Sequence, residues 1–151
     1  MEIERSVTVA HPVDRVFAYL SDFTNTTEWD PGTVRTERVS GDGGLGTRYH
    51  NVSTFLGRET ELDYMVIEHV PDERFALRGE NATVVAKDTM TFVRTVTGSG
   101  AAAGEGTTVT YRADFEFKGI AKLAAPLLAP AFKKLGDEAE QGMRDALSRL
   151  G

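Results

Sequence analysis

Between Thr33 and Phe117 every periodic segment places apolar residues at alternate positions, and the chain then closes with one long stretch of helical spacing. Alternation of this kind marks strands with one buried face. Short glycine- or proline-containing runs separate the segments: GDGG at 41–44, LGRE at 56–59, VPDE at 70–73, GEN at 79–81 and GSGAAAGEG at 98–106. Connections this short suit antiparallel hairpins, so six strands are expected. From Gly119 to Gly151, the residues Leu128, Phe132, Leu135, Ala139, Met143, Ala146 and Leu150 keep three- and four-residue spacing over six turns, which predicts one long amphipathic helix. Pro126 and Pro130 fall near its start and are expected to kink it.

The beginning of the chain adds a further strand. Ile3, Val7 and Val9 alternate, with Arg5 as the one polar exception on that face. Pro12 suits a first helical position. Val13, Val16, Phe17 and Leu20 then give a short helix with one apolar face. Ser21-Asp22 interrupts it, and Asn25 with Glu28 resembles a capping box for a second, one-turn helix. Asp30-Pro31 ends that helix, because a residue before proline is pushed out of the helical region. The only tryptophan, Trp29, sits at this point.

A continuous antiparallel sheet must bury its apolar face. The C-terminal helix is the only element long enough to cover it, so the sheet is expected to curl around that helix while the short helix pair closes one end. At 151 residues the chain suits a single domain, 1–151.

Composition removes several function classes. With a formal net charge of -6, nucleic acid is not expected as a partner, since it demands a basic footprint. There is no cysteine, which excludes disulfides and thiolate chemistry. The N-terminus lacks the apolar core of a signal peptide. The most apolar run, Ile120 to Phe132, has 13 residues and contains Lys122 and two prolines. It is too short to span a bilayer. A cytoplasmic protein without stable membrane insertion is expected; the oligomeric state cannot be read.

Hairpin register carries the inward face from strand to strand. It begins at Val109, Tyr111, Ala113, Phe115 and Phe117. It passes through Val84, Ala86, Asp88, Met90, Phe92, Arg94 and Val96 to Phe75 and Leu77, then to Leu62, Tyr64 and Val66. It ends on Tyr49, Asn51, Ser53 and Phe55. Each inward polar group needs a partner, a strand end or a wet cavity, because an unpartnered one costs about 1–3 kcal/mol. For Asn51, Ser53 and Asp88 in mid-strand, a tethered core group and a cavity-lining group both remain open. For the tyrosines, packing with a tied hydroxyl is the commoner outcome.

Other motifs carry less. GDGGLG at 41–46 fits a dinucleotide fingerprint in spacing, yet it joins two strands and offers no helix N-terminus. His11, His50 and His69 fit no metal spacing, so no metal and no cofactor are expected. His11 and His69 are expected at the surface. No nucleophile–base set can be placed.

The order strand, two short helices, six strands, long helix is similar to the helix-grip proteins of the START-like, or SRPBCC, superfamily. It most resembles the polyketide cyclase/dehydrase and lipid-transport branch. The stretches that carry the resemblance are VTVAHPVDRVFAYLSDFTNTTEWDPG, VIEHVPDERFALRG and GEGTTVTYRADFEFKG. The resemblance implies an α+β fold with a seven-stranded curved antiparallel sheet around the C-terminal helix. It also implies a cavity between the two for a small apolar or amphipathic molecule. Trp29, Tyr49, Asn51, Ser53, Tyr64, Asp88, Met90, Phe92, Tyr111 and Leu127 are the residues expected to line it. The implied role is a carrier or sensor of a lipid, polyketide or isoprenoid-like ligand. One alternative is an aromatase or cyclase whose cavity Tyr, Asp and Arg residues polarise carbonyls. Another is an interaction module with a filled interior. The segment 118–130 is expected either to act as a lid or simply to follow the curved sheet.

Overall fold

The computed structural model describes residues 1–150; Gly151, the last residue of the expected domain and helix, lies outside the described residues. Seven strands form one antiparallel sheet in the order β1-β7-β6-β5-β4-β3-β2. They are β1 (Glu2–Val9), β2 (Thr33–Ser40), β3 (Arg48–Phe55), β4 (Arg58–Val70), β5 (Arg74–Glu80), β6 (Val84–Thr97) and β7 (Gly104–Phe117). Between β1 and β2 come α1 (Val13–Leu20), a 3-10 turn at Phe23–Asn25 and α2 (Thr26–Trp29). This is the helix-grip architecture.

Register follows the carried face closely. Phe92 pairs with Val109, Asp88 with Ala113 and Met90 with Tyr111. Leu77 pairs with Asp88, Val66 with Leu77, and Tyr49 with Tyr64. The β3–β4 turn is a two-residue loop, Leu56-Gly57, with φ of 52° and 77°, the paired left-handed conformation that matches strand twist. One irregularity falls in β4 between Val66 and Glu68. Beyond it His69 pairs with Phe75 and turns inward, its ring edge-on to Phe17 at 5.3 Å. His69 is therefore half-buried rather than a surface residue, because the bulge shifts the alternation by one. At the far end of β6 the inward phase runs past the core: Arg94 and Val96 are exposed.

The C-terminal segment is broken into three pieces, where one kinked helix was expected. They are α3 (Ala121–Ala124), a 3-10 turn at Ala125–Leu128 and α4 (Ala129–Ser148). Pro126 and Pro130 each fall in the first turn of a new piece, where the missing N–H is harmless. On α4 the buried residues are Phe132, Gly136, Ala139, Met143, Ala146 and Leu147. Gly142 of α4 sits directly against the Trp29 carbonyl, and a Cβ there would collide with it. This close approach lets α4 lie on α2 as well as on β1.

The expected capping box does not form. Asn25 makes no cap hydrogen bond; its side-chain amide donates to the Tyr19 carbonyl instead, at 2.8 Å. Asp22 caps the preceding turn, accepting from the Thr24 N–H at 3.1 Å.

Two apolar clusters build the interior. The larger packs α1, Trp29, Tyr49, Met90, Phe92, Met143 and Leu147. The smaller gathers Ile3, Ala113 and Phe132, with Phe55, Phe115, Phe117, Leu128 and Leu135 around them. Among the described residues no helix is long and apolar enough to cross a membrane.

Candidate functional site

A cavity of about 350 Å³ lies between the sheet and the C-terminal segment, with walls drawn from both clusters. Strands β3 and β4 contribute Asn51, Ser53, Leu62 and Tyr64; β6 and β7 contribute Val84, Asp88, Tyr111, Phe115 and Phe117. Phe132, Leu135, Leu128 and Ala121 close the helical side, and Phe23, Thr26, Trp29 and Asp30 close the end.

Six of the ten expected cavity residues line it: Trp29, Asn51, Ser53, Tyr64, Asp88 and Tyr111. The other four lie elsewhere. Tyr49, Met90 and Phe92 share the inward face but belong to the packed core, where α1 and the end of α4 fill the space above them. Leu127 points to solvent and is 82% exposed. Ala121, Ala124, Leu128, Phe132 and Leu135 hold the inward positions at three- and four-residue spacing, and Leu127 falls outside that stripe.

One group of polar side chains satisfies itself. The Ser53 hydroxyl donates to Asn51 Oδ1 at 2.8 Å, and Asn51 Nδ2 donates to Thr36 Oγ1 at 2.9 Å. Thr26 Oγ1 lies 2.6 Å from Thr36 Oγ1 and donates to the Phe23 carbonyl at 2.8 Å. Since the Thr26 proton is committed to Phe23, the Thr36 hydroxyl is the donor between the two threonines. The chain therefore runs in one direction, from Ser53 to Phe23, and ties β3 and β2 to the short helices. Each hydroxyl proton is used once, and Ser53 meets the cavity with lone pairs only.

A second polar group is less complete. The Tyr111 hydroxyl donates to Asp88 Oδ2 at 3.2 Å. Asp88 is 6% exposed, and Oδ1 has no hydrogen-bond donor among the described residues. Burial pushes its carboxyl up to about 7; the Tyr111 hydrogen bond opposes this, and the charges of Asp30 and Asp114 add to it. Burial raises Tyr64 and Tyr111 well above the ordinary phenol value, reinforced by the nearby Asp88 and Asp30. The Tyr64 ring packs against Gly79 on the neighbouring strand, in space a Cβ would occupy.

Asp30 was missed as a cavity residue. It accepts from the Gly32 N–H at 3.0 Å and the Thr33 hydroxyl at 3.1 Å, and burial holds its carboxyl above the usual carboxylate range. The signal lay in the Trp-Asp-Pro-Gly run, where a carboxylate beside the expected mouth residue closes a turn. Trp29 is 2% exposed, stacks edge-on to Tyr111 at 5.6 Å, and its Nε1 has no partner.

Among the described residues no lysine, arginine or histidine lines the cavity. Arg5, which β1 directs toward α4, uses its guanidinium on Asp137 at 2.9 Å and on the Lys133 carbonyl at 3.3 Å. His50 faces outward, between Asp63 and Glu61, each at 2.8 Å.

A family described as polyketide cyclase / dehydrase and lipid transport matches residues 1–150. Solved structures share the fold at low identity. A Thermus thermophilus protein is 16% identical, with a TM-score of 0.76 over 97% of each chain. The Zhui aromatase/cyclase of a Streptomyces species is 16% identical, with a TM-score of 0.76 over 99% of this chain and 94% of that one. A START superfamily protein of Mycobacterium smegmatis is 16% identical, with a TM-score of 0.68 over 97% of this chain and 94% of that one. No curated protein sequence matches the chain.

Proposed function

The chain belongs to the polyketide cyclase/dehydrase and lipid-transport family, and from that premise we propose that it binds one small apolar or amphipathic molecule between the sheet and α4, as a carrier or sensor. The observation that carries this reading is the cavity itself: about 350 Å³ left open inside a core that is otherwise packed. Its walls combine Phe and Leu side chains with hydroxyl groups of Thr, Ser and Tyr and the carboxyls of Asp30 and Asp88. Apolar walls with a few convergent polar groups are what a ligand site requires. Trp29, Asn51, Ser53, Tyr64, Asp88 and Tyr111 would contact the ligand, and Ala121, Leu128 and Phe132 would cover it. The test is calorimetric titration with a neutral aromatic probe, naphthylmethanol. Binding at one site, lost in Ala121→Phe, which places a ring at the mouth, supports the reading. No heat of binding in the native protein would sink it.

The hydrogen-bonded pair Asp88–Tyr111 favours a second reading, in which the bound molecule is also transformed. A buried carboxyl beside a phenol can hold and pass a proton, and a family of cyclases and dehydrases supports looking for that chemistry. Cyclisation of a poly-β-carbonyl substrate that stops in Asp88→Asn, while naphthylmethanol still binds, would establish it. Unchanged turnover in that variant would remove the pair from any reaction.

A further inference from the structure

We infer that the ligand of this cavity carries a basic nitrogen, held as an ammonium group by Asp88 beside the Tyr111 oxygen. The inference rests on the ligand-binding reading and narrows it to a charge class.

The argument is one of donors and acceptors. The unpartnered Trp29 Nε1–H is enclosed, and the hydroxyl protons of Tyr111 and Ser53 are already used. Tyr111 spends its hydroxyl proton on Asp88 Oδ2. Ser53 spends its own on Asn51 Oδ1. Both oxygens therefore offer lone pairs alone. Asp88 Oδ1, on a residue only 6% exposed, is a further acceptor without a donor among the described residues. Asp30, on the wall at the end of α2, adds a second carboxyl. The Tyr64 hydroxyl makes no hydrogen bond among the described residues and can serve in either direction. A wall this rich in acceptors calls for a ligand that brings protons.

Charge points the same way. A buried carboxylate needs a cation nearby or it gives up its charge. Among the described residues no basic side chain lines this cavity, and Arg5 is committed to Asp137 and the Lys133 carbonyl. The groups that act on Asp88 are Tyr111, Asp30 and, from the outer face of β7, Asp114. Tyr64 stands close enough to feel both Asp88 and Asp30. None of these supplies positive charge. A ligand ammonium would, and Asp88 Oδ1 and the neighbouring Tyr111 oxygen can accept its protons. A fatty acid or a phosphate ester would instead meet two carboxyls, and like charges at short range exclude it.

Three probes of one shape separate the possibilities: naphthylmethylamine, naphthylmethanol and naphthoate, titrated calorimetrically into the full chain. At about pH 8 the amine is expected to bind at least about tenfold more tightly than the alcohol, and naphthoate not detectably. Amine affinity should fall roughly tenfold at about pH 6, as Asp88, titrating at about 7, takes up a proton. The amine stays charged across that range, and alcohol affinity should stay level. Asp88→Asn should bring the amine down to the alcohol and remove the pH dependence, which assigns the effect to Asp88 rather than Asp30. Alcohol binding equal to or tighter than the amine, or naphthoate binding tightest, overturns the charge class while leaving ligand binding in place. Failure of all three probes overturns both.

Discussion

The Tyr111 hydroxyl reaches across from β7 to β6 and donates to Asp88 Oδ2 at 3.2 Å, inside a cavity wall that holds no basic residue among those described. The bond partly offsets a burial that still holds the carboxyl at about 7, against 3.8 for an ordinary aspartate. Between those two values the folded protein keeps a proton that the unfolded chain has lost. Stability therefore falls as pH rises through that window. Asp88→Asn removes the slope. Relative to the native protein it should gain on the order of 4 kcal/mol from about pH 4 to about pH 8. Denaturant midpoints of both proteins across that range read it out, and parallel curves would show that Asp88 ionises normally.

The one-way chain from Ser53 to the Phe23 carbonyl is a structural tie with little spare capacity. Thr36→Val deprives Asn51 Nδ2 of its acceptor and Thr26 Oγ1 of its donor, both in buried positions. The expected loss is about 1–3 kcal/mol. Thr8→Val, which breaks the exposed Thr8–Thr108 pair at 2.8 Å, should cost well under that. Equal effects in denaturant unfolding would mean that the buried chain is no tighter than a surface contact.

Gly142 and Gly79 serve packing. A methyl group at Gly142 meets the Trp29 carbonyl, a rigid obstacle, so Gly142→Ala should cost about 1–3 kcal/mol and shift the tryptophan emission. At Gly79 the obstacle is the Tyr64 ring, which can move into the cavity. Gly79→Ala should therefore reduce naphthylmethanol affinity more than it reduces stability. A variant that binds the probe normally would place Tyr64 away from the ligand.

How far the site could be read from the sequence depended on which part of it followed a regular rule. Tyr64, Asp88, Tyr111, Asn51 and Ser53 were legible because hairpin register passes the inward face from strand to strand. The same rule also selected Tyr49, Met90 and Phe92, and alternation cannot tell where that face is packed and where it is hollow. Only the placement of α1 and of the end of α4 decides this. The apolar character of 118–130 pointed to Leu127, whereas the inward positions Ala121, Ala124, Leu128, Phe132 and Leu135 keep helical spacing and leave it outside. Thr26 and Asp30 belong to the one-turn helix α2 and its end, and Thr36 to an edge strand with weak alternation, and the hydroxyl chain exists only once those elements meet. His69 was misplaced by one bulged residue.

The segment 118–130 presents Ala121, Ala124 and Leu128 to the cavity, and leaves Ile120, Leu123 and Leu127 exposed. None of its short helical pieces has a side-chain cap at its start. Local opening there should be inexpensive. Hydrogen exchange should be fast over 118–130 in the free protein and slower with naphthylmethanol bound, while 135–148 stays protected in both. Uniform protection along the whole C-terminal segment would leave it as a bend that follows the sheet.

That an apolar molecule enters the space between sheet and α4 is tested most directly by nuclear magnetic resonance. The chain has one tryptophan, so its indole N–H gives a single resonance, and that group is buried beside Tyr111 without a partner. Titration with naphthylmethanol should shift this resonance saturably, together with those of Tyr64, Tyr111 and Phe132, while Phe92 and Tyr49 in the packed core move little. Saturable binding that leaves Trp29, Tyr64 and Phe132 unmoved and perturbs only the outer face of the sheet would contradict an internal site.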